Sequence, residues 1–344
     1  KPVLIISYYW PPAGGPGVQR WLKFAKYLPR NGYDVTVVVP ENPDYPVLDK
    51  SLMEDIPEDI RLLKVPIKEP SRMAGKLSRK RTKNLQRGIL NKKASFLERT
   101  LVWLRGNFFI PDARVGWKQH VLRAVESYLS ENRECTVITT GPPHSVHLIG
   151  MELKSLLPSI KWLADFRDPW TTIGYHKDLK LGKRAQKRHL ALEKEVLHTA
   201  DLLIVTSPHT GKEFKSKTTT PIQLITNGYD ITPNAQRRQP DAAFVLAHIG
   251  TLLSDRNPQL LWESLRELCQ ESEDFSSDFK LQLAGNVSQE ILDSLVEYQL
   301  DQYLDNKGYV SHDESVELMY QAQALLLIEI DTEETRAIIP GKIF

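Results

Sequence analysis

The sequence predicts an α/β protein built from two Rossmann-like domains. Near the N-terminus an apolar strand, a loop rich in glycine and proline, an amphipathic helix and a second strand follow one another between Val3 and Val39. Strands and helices keep alternating as far as Thr226, and the alternation restarts at Phe244 after a polar stretch that contains two prolines. Two successive units of this kind predict a cleft between domains, where ligands commonly bind.

The first strand, loop and helix form a βαβ unit, which places ligands at the carboxyl ends of its strands. The helix is predicted from apolar residues spaced along one face: Val18, Trp21, Leu22, Ala25 and Leu28. Glycines in the loop let backbone N–H groups approach a ligand, and the helix N-terminus favours negative charge. The dinucleotide-binding fingerprint is broken, because Arg20 stands where its third glycine belongs. A Rossmann oxidoreductase therefore stays only as an alternative function, as does a loop without any ligand.

We place the first domain at residues 1–235, and its later elements continue the alternation. Strands are predicted at 60–65, 136–140, 161–166, 201–206 and 222–226. Helices are predicted at 117–129, 146–157 and 183–199, with a short one near Thr210. Leu190, Val196 and Leu197 are expected to face inward from the helix at 183–199.

We place the second domain at residues 243–344. Its predicted strands are 244–249, 280–285, 306–310 and 324–330, and its predicted helices are 258–270, 290–300 and 314–322. Four leucines are expected to face the core from the first of these helices: Leu260, Leu261, Leu265 and Leu268. The sequence stops where a new helix is beginning, so we expect a fragment whose second domain is truncated and which is inactive alone.

The amino-acid composition gives limited information about the cellular compartment and the binding partners of the protein. The 344 residues carry a net charge of +2, which gives no reason to expect nucleic acid as a partner. Two cysteines without metal-ligand spacing fit a reducing compartment, so we expect a cytoplasmic protein. No apolar run reaches the roughly 18 residues that a membrane span requires.

One segment departs from this balance of charge. Nine lysines and arginines and no acidic residue lie between Ser71 and Lys93, and apolar residues follow as far as Leu104. We predict that 71–104 is a largely helical insertion in the first domain. Two main interpretations stay open: a helix that lies on an anionic membrane surface, making the protein peripheral on the inner face of the cell membrane, or a solvated helix packed on the domain. A nucleic-acid-binding patch is a third, less favoured interpretation, because no recognisable binding module accompanies it.

Two further loops follow strands and carry polar side chains. Gly141-Pro142-Pro143-His144-Ser145 delivers His144 to the start of a helix, where it could transfer a proton or bind a sugar hydroxyl. Its alternative role is in a capping loop, with Ser145 as the N-cap. In Asp165-Phe166-Arg167-Asp168-Pro169-Trp170, Arg167 offers a planar fork to carboxylate, phosphate or diol, and Asp168 can accept sugar hydroxyls. An Arg–Asp pair that merely fixes the turn explains these two residues equally well, and no third ligand has the spacing for a metal site.

The second domain has one comparable loop, which runs from Gly250 to Asn257. Gly250 ends a strand, and Pro258 suits the first turn of a helix. A diphosphate bound here would be balanced by the helix N-terminus and by Arg256.

Together these residues resemble the family 4 glycosyltransferases of the two-domain GT-B fold, especially bacterial enzymes of surface-polysaccharide assembly. The resemblance runs over the whole chain. Its most specific pieces are, in chain order, Tyr8-Tyr9-Trp10-Pro11-Pro12 with Gly14-Gly15, Gly141-Pro142-Pro143-His144-Ser145, Asp165-Phe166-Arg167-Asp168-Pro169-Trp170, Asn227-Gly228-Tyr229-Asp230 and Gly341-Lys342-Ile343-Phe344.

The resemblance implies a metal-independent, retaining transferase that needs no cofactor. It would move a sugar from a nucleotide-diphosphate donor, held mainly by the second domain, to a lipid-linked or polysaccharide acceptor held by the first. Fixed positive charge and a helix dipole would stabilise the leaving diphosphate. His144 and Asp168 are the expected catalytic residues, and Arg167 and Trp10 are expected to bind the acceptor. The expected donor-binding residues are Gly14, Gly15, Gly250, Thr251, Arg256 and Lys342.

Three positions depart from the pattern of that family. Its arginine after the second-domain glycine is Thr251 here, its lysine further on is Asn257, and the first of its two glutamates is Ala337. Arg256 is therefore a displaced substitute for the family arginine. These departures keep open a second function, that of a catalytically silent glycosyltransferase-like protein that binds glycan or organises a biosynthetic complex.

Overall fold

A computed structural model describes residues 1–69, 96–173, 176, 179–229, 243–330, 332, 335–337, 339–340 and 343. The chain divides into two compact units. The first comprises Lys1–Gly228 with Arg336–Ile339, and the second comprises Tyr229–Thr335 with Pro340–Phe344. Both are α/β units built on a parallel sheet, as the alternating pattern of the sequence predicts.

The first unit is organised around a seven-stranded parallel sheet of order β3-β2-β1-β4-β5-β6-β7. Its strands are β1 (Pro2–Ser7), β2 (Asp34–Pro40), β3 (Arg61–Val65), β4 (Thr136–Gly141), β5 (Lys161–Phe166), β6 (Leu202–Val205) and β7 (Ile222–Leu224). The inner strands β1, β2, β4 and β5 are buried along most of their length, because a parallel sheet is covered on both faces. The chain order reverses direction across the sheet between β1 and β4, so the loops after these strands flank a crevice at its carboxyl edge.

Six helices of the first unit are described. They are α1 (Pro16–Tyr27), α2 (Phe96–Phe108), α3 (Trp117–Glu131), α4 (Ser145–Leu156), α5 (Lys183–Thr199) and α6 (Pro208–Lys215). The predicted inner face of α1 is confirmed for Val18, Trp21, Leu22 and Ala25, which are buried in the core. Leu28 is the C-cap just beyond the helix, and it is partly buried against the same core. Gly32 ends the short 3-10 turn after α1 in the left-handed region, with φ 78°.

The inner face of α5 differs from the prediction at one position. Val196 and Leu197 are buried, but Leu190 is 49% exposed. Ala185, His189 and Leu192 take the inward positions instead, at intervals of four and three residues. Leu190 lies outside this stripe, in which the neighbouring His189 is buried instead.

The second unit has a four-stranded parallel sheet of order β10-β9-β8-β11. Its strands are β8 (Phe244–Ile249), β9 (Phe279–Ala284), β10 (Leu304–Gly308) and β11 (Ala324–Leu325). Its helices are α7 (Gln259–Glu271), α8 (Glu273–Asp278), α9 (Gln289–Glu297) and α10 (His312–Gln321). The predicted strand at 324–330 is wrong in length, because β11 pairs only with β8 and only through Ala324 and Leu325.

The predicted inner face of α7 is partly wrong. Leu265 is buried, but Leu260 is 80% exposed and Leu268 is 46% exposed. Trp262 lies fully buried in their place, and its indole N–H donates to Asn257 Oδ1 at 2.7 Å. This buried tryptophan and its hydrogen bond rotate α7 away from the face that leucine spacing indicates.

The predicted insertion at 71–104 lies outside the described residues as far as residue 95. Its remainder belongs to α2, so the described part is helical, as predicted. Trp103 is 44% exposed, in keeping with the expected partial exposure. Among the described residues, no helix combines the length and the apolar character needed to cross a bilayer.

Candidate functional site

The three loops singled out in the first domain meet at one edge of its sheet. They follow β1, β4 and β5, which are neighbours in the parallel order. Ser7 pairs with Thr140, and Gly141 pairs with Phe166, so the three strands end at the same level. The loops that carry His144 and Asp168 therefore begin at the same edge of the sheet.

The glycine loop is held in place by backbone contacts with the segment after β2. Gly14 N–H donates to the carbonyl of Val47 at 3.1 Å, and Asp49 N–H donates to that of Pro12 at 2.8 Å. Gly15 has φ 106°, a conformation that suits glycine, and an added Cβ would meet nothing within 4 Å. Gly15 is the N-cap of α1, and no side chain caps this helix.

Arg167 lies between the glycine loop and the loop after β4. Its Nε donates to the Gly141 carbonyl at 3.2 Å, and its Nη2 donates to the Pro142 carbonyl. Its Nη1 lies 1.7 Å from the place that a Cβ on Gly17 would occupy, so the guanidinium packs directly on the backbone of the first turn of α1. Its Cζ is 5.9 Å from the centre of the Tyr9 ring. The side chain predicted to bind an acceptor thus joins two of the three loops.

Arg167 differs from Arg20 of α1 in its charge balance. Both hydrogen bonds of its side chain go to neutral carbonyls, and within the described part of the chain no carboxylate forms an ion pair with it. The residue is only partly buried. Its charge is therefore available to an anionic or polar ligand at the sheet edge.

Arg20, by contrast, is buried, and its guanidinium is paired with interior groups. Its Nη2 lies 2.9 Å from Asp165 Oδ1, and its Nη1 donates to the carbonyl of Thr226 at 2.9 Å. Asp165 is completely buried and also accepts hydrogen bonds from Trp21 Nε1 at 2.7 Å and Thr140 Oγ1 at 2.9 Å. The arginine that breaks the dinucleotide fingerprint is thus the partner of a buried carboxylate on β5. The local spacing concealed this role, but an aspartate inside an apolar strand was a signal that a cation must lie opposite it.

His144 is buried among aromatic rings. It is 5% exposed, and its ring stacks on Trp170 at 5.0 Å with an interplanar angle of 5°. Within the described residues neither ring nitrogen has a hydrogen-bond partner. Burial, followed by the charges of His147 and Arg167, lowers the pKa of His144 well below its ordinary value. The imidazole is therefore neutral at neutral pH and can donate or accept a hydrogen bond, but it is a weak base.

A second histidine, His147, supports this packing and was not singled out from the sequence. Its Nδ1 lies 2.9 Å from Thr139 Oγ1, and its ring stacks on Phe166 at 4.3 Å. Burial and the charge of Arg167 lower its pKa to about 3. A Cβ on Gly141 would lie 2.6 Å from its Nε2, so this glycine is required where the histidines approach the backbone.

The helix after this loop is capped differently from the prediction. Its N-cap is His144, and Ser145 is the first residue of α4. Ser145 N–H donates to Asp112 Oδ2 at 2.8 Å, and its hydroxyl donates to Oδ1 at 2.7 Å. The carboxylate of Asp112 thus occupies the positive end of α4, whereas no side chain caps the start of α1.

Asp168 lies beside a charged residue, whereas Trp10 is buried without a hydrogen-bond partner among the described residues. Burial raises the pKa of Asp168, and neighbouring Arg167 opposes that shift. Trp10 is 2% exposed, and its indole nitrogen has no hydrogen-bond partner within the described residues. Trp10, the predicted acceptor residue, therefore lies in the interior. Its indole N–H could reach an acceptor only if the side chain moved toward the surface.

A buried polar cluster beside the glycine loop was missed by the sequence analysis. Tyr8 Oη donates to Glu69 Oε1 at 2.7 Å, and Arg114 Nε lies 3.3 Å from the same oxygen. The Arg114 guanidinium carbon is 4.9 Å from the centre of the Tyr8 ring. Burial and Glu69 together raise the pKa of Tyr8, although Arg114 opposes them, so the phenol stays protonated. These residues fix the start of the loop from below.

The loop of the second unit is shaped by two glycines. Gly250 has φ 125° and donates its N–H to the Ala284 carbonyl at 2.7 Å. Gly285 has φ 128°, and a Cβ there would lie 2.1 Å from the Gly250 carbonyl oxygen. Thr251 is exposed beside them. The two strand ends therefore meet backbone to backbone.

Arg256 is already paired in this unit. Its Nη2 lies 3.3 Å from Glu329 Oε2, and the two side chains are 24% and 26% exposed. Asn257, at the position of the family lysine, accepts from Trp262 and donates to Ser294 Oγ at 2.8 Å, which is a structural role. Lys342, the second predicted cation for the diphosphate, lies outside the described residues. Among the described residues, no group of three or more His, Cys, Asp or Glu side chains could hold a metal ion.

No protein-family model matches the sequence, and no curated protein matches it either. Solved structures do resemble it. The N-terminal domain of Candida albicans trehalose-6-phosphate phosphatase matches with a TM-score of 0.60 and 12% identity over 95% of this chain and 76% of that chain. TarM matches with a TM-score of 0.58 and 9% identity over 94% of this chain and 79% of that chain.

A second structure of TarM, a point mutant of the S. aureus protein, contains fondaparinux, alpha-GlcNAc-glycerol and UDP. It matches with a TM-score of 0.54 and 10% identity over 94% of this chain and 80% of that chain. Similarity at this level of identity establishes a shared fold. The chain therefore has the fold implied by its resemblance to the family 4 glycosyltransferases, the GT-B fold of two Rossmann-like units.

Proposed function

We propose that this chain belongs to an enzyme that transfers a sugar from a nucleotide-diphosphate donor to a lipid-linked or polysaccharide acceptor. The observation that carries the proposal is the half-buried guanidinium of Arg167, which has no ion-pair partner among the described residues. It lies beside the uncapped start of α1, at the carboxyl edge of a parallel sheet. This edge offers one full positive charge and the positive end of a helix dipole to a polar ligand.

Three residues of the first unit have separate roles in this proposal. Arg167 binds a phosphate, carboxylate or diol of the acceptor through its planar fork. His144, which is neutral, donates or accepts one hydrogen bond with a sugar hydroxyl and does not act as a strong base. Asp168, whose pKa burial raises, is placed on the neighbouring loop for exchange of a proton or hydrogen bond with the acceptor.

The donor diphosphate is proposed to lie against the loop from Gly250 to Asn257 in the second unit. Arg256 would then exchange its carboxylate partner, Glu329, for the diphosphate. Both side chains are partly exposed, so the existing pair contributes little stability and its exchange costs little free energy. Lys342 and the start of α7 would supply the remaining positive charge. The mechanism would be metal-independent and retaining, with no cofactor.

The proposal includes a location at the cytoplasmic face of the membrane, reached through 71–104. Support comes from the basic, acid-free sequence between Ser71 and Lys93 and from the exposed aromatic residues of α2. UDP and a GlcNAc-bearing glycerol in TarM are ligands of the chemical classes that the proposal requires.

A catalytically silent glycan-binding protein is the second candidate. It is favoured by Ala337 at the position of a family glutamate, and by the structural engagement of Asn257 and Arg256. It would bind nucleotide sugar or glycan without turnover.

The test uses the full-length protein with radiolabelled UDP- and GDP-sugars and a lipid extract as acceptor. Transfer of label to the lipid phase, lost in Arg167→Gln and partly kept in Arg167→Lys, is the expected result. Arg133→Gln, an exposed arginine near the opposite edge, is the matched control. Nucleotide-sugar binding without transfer would support the silent protein, whereas binding of nicotinamide cofactors alone would contradict both candidates.

A further inference from the structure

We propose that α2 and the start of α5 form a docking surface for an anionic lipid bilayer. We call it the α2–α5 face. Its apolar part is Trp103, Leu104 and Phe108, and its basic part is Lys180, Lys183, Arg184, Lys187 and Arg188. The proposal does not depend on sugar transfer, and every residue in it lies outside the segment 70–95.

The apolar part is a cluster of large side chains in water. Trp103 is 44% exposed, Leu104 is 38% exposed and Phe108 is 68% exposed. The two aromatic rings contact each other edge to face, with centroids 5.9 Å apart. Residues 103, 104 and 108 occupy one side of a helix turn, so they present a single apolar patch. Tryptophan, phenylalanine and leucine are the residues that enter the boundary between headgroups and acyl chains.

The basic part adjoins this patch through Asn107. The Asn107 side chain donates to the Trp103 carbonyl at 2.8 Å, and its Oδ1 accepts from Gly182 N–H at 2.8 Å. A Cβ on Gly106 would lie 2.7 Å from the Leu179 carbonyl oxygen, so α2 is pressed against the segment that leads into α5. Lys180 and Lys183 follow within a few residues of these contacts. The cations and the aromatic patch therefore form one continuous face.

The five cations have no ion-pair partner among the residues that the structure describes. The sequence from Leu179 to Leu192 contains no acidic residue, and all five are exposed. Lys183 and Arg184 also stand in the first turn of α5, where no acidic residue balances them. Positive charge at a helix N-terminus opposes the helix dipole, so folding alone does not favour this arrangement.

An anionic bilayer satisfies both parts of the face at once. Its surface potential attracts clustered lysine and arginine, and its interface accepts the aromatic rings. A nucleic acid or an acidic protein would use the cations but has less use for three adjacent apolar side chains in water. The observations therefore favour a lipid surface over those two partners.

The charge test compares full-length wild type with one quadruple variant in vesicle co-sedimentation. The variant carries K183Q, R184Q, K187Q and R188Q. We expect its partition onto phosphatidylcholine vesicles containing phosphatidylglycerol to fall by about tenfold or more, since each cation near such a surface contributes substantially. The matched control removes four exposed lysines elsewhere in the same unit: K64Q, K161Q, K212Q and K215Q. It should bind nearly as wild type.

The variant is expected to fold, because removing cations from the start of α5 relieves the unfavourable interaction with the dipole. Its melting temperature should equal or exceed that of wild type. The double variant W103S/F108S tests the apolar part, and should lose the binding that survives at high salt. Circular dichroism checks that both variants keep their helices.

Three results would overturn the proposal. In the first, wild type and the quadruple variant bind anionic vesicles equally, and binding is lost only when the basic residues between Ser71 and Lys93 are neutralised. Another is equal binding of wild type to vesicles with and without phosphatidylglycerol, or no binding to either. The third is binding to duplex RNA or DNA without binding to vesicles. Sugar transfer measured on a water-soluble acceptor stays unchanged in the quadruple variant, so this test and that of the proposed function can fail separately.

Discussion

Removing the buried guanidinium of Arg20 should destabilise the first unit strongly. The side chains of Arg20 and Asp165 are 2% and 0% exposed, and their closest atoms are 2.9 Å apart. Arg20→Met leaves the Asp165 carboxylate buried with the hydrogen bonds from Trp21 and Thr140 but without a cation. Removing one partner of a buried ion pair costs about 3–5 kcal/mol. We expect a loss of about 3 kcal/mol, at the lower end of this range, because two donors remain.

A double-mutant cycle separates the charge effect from lost packing. Asp165→Asn should cost about 3–5 kcal/mol by itself, since it leaves the Arg20 charge unpaired. The double variant has no buried charge and loses the four hydrogen bonds of the Arg20 guanidinium, two of which are long, or about 2–4 kcal/mol in total. The two single costs should therefore add up to more than the cost of the double variant, by about 3 kcal/mol.

Urea denaturation followed by tryptophan fluorescence is a suitable assay. Six of the seven tryptophans, all except Trp262, belong to the first unit, so the signal reports mainly its unfolding. Glu152→Gln, which breaks the partly exposed pair with Lys118, is the control and should cost less than about 1 kcal/mol. Additive single costs, or an Arg20→Met variant as stable as the control, would refute the assignment of Arg20 to the buried charge network.

Three further perturbations have defined outcomes. Because the pKa of His147 falls to about 3 in the folded chain, the unfolded state binds more protons below pH 6.5. Stability should fall by about 1.4 kcal/mol per pH unit between pH 6 and 4 from this group, and His147→Asn should flatten that slope in urea titrations at each pH. Gly285→Ala places a Cβ 2.1 Å from the Gly250 carbonyl oxygen at a positive φ. It should lower the stability of the second unit by about 2 kcal/mol or more, and unchanged thermal unfolding would contradict the close backbone contact. Arg256→Ala should weaken diphosphate binding by about 1.5–3 kcal/mol, and Glu329→Gln should strengthen it, in calorimetric titrations of UDP and GDP. If both variants bound UDP and GDP with the affinity of wild type, the Arg256–Glu329 pair would not belong to the donor site.

The sequence was sufficient for the order of elements and for the edge at which the loops gather. Apolar runs mark the strands, a 3.6-residue repeat marks α1, and parallel pairing brings every strand's carboxyl end to one side. These are local or topological properties, so they can be read without coordinates. Helix rotation was less predictable, because buried polar residues such as His189 in α5 and a tryptophan in α7 outweighed leucine spacing.

Charge pairing was decided only by the tertiary structure. Arg20 and Asp165 are 145 positions apart, and Arg256 and Glu329 are 73 positions apart. Coulomb energy depends on distance in space and on burial, neither of which is encoded in spacing along the chain. The sequence by itself determined two α/β units and the loops that end their strands. The packed structure determined that Arg20 is paired with Asp165 in the interior, and that Arg167 has no ion-pair partner among the described residues.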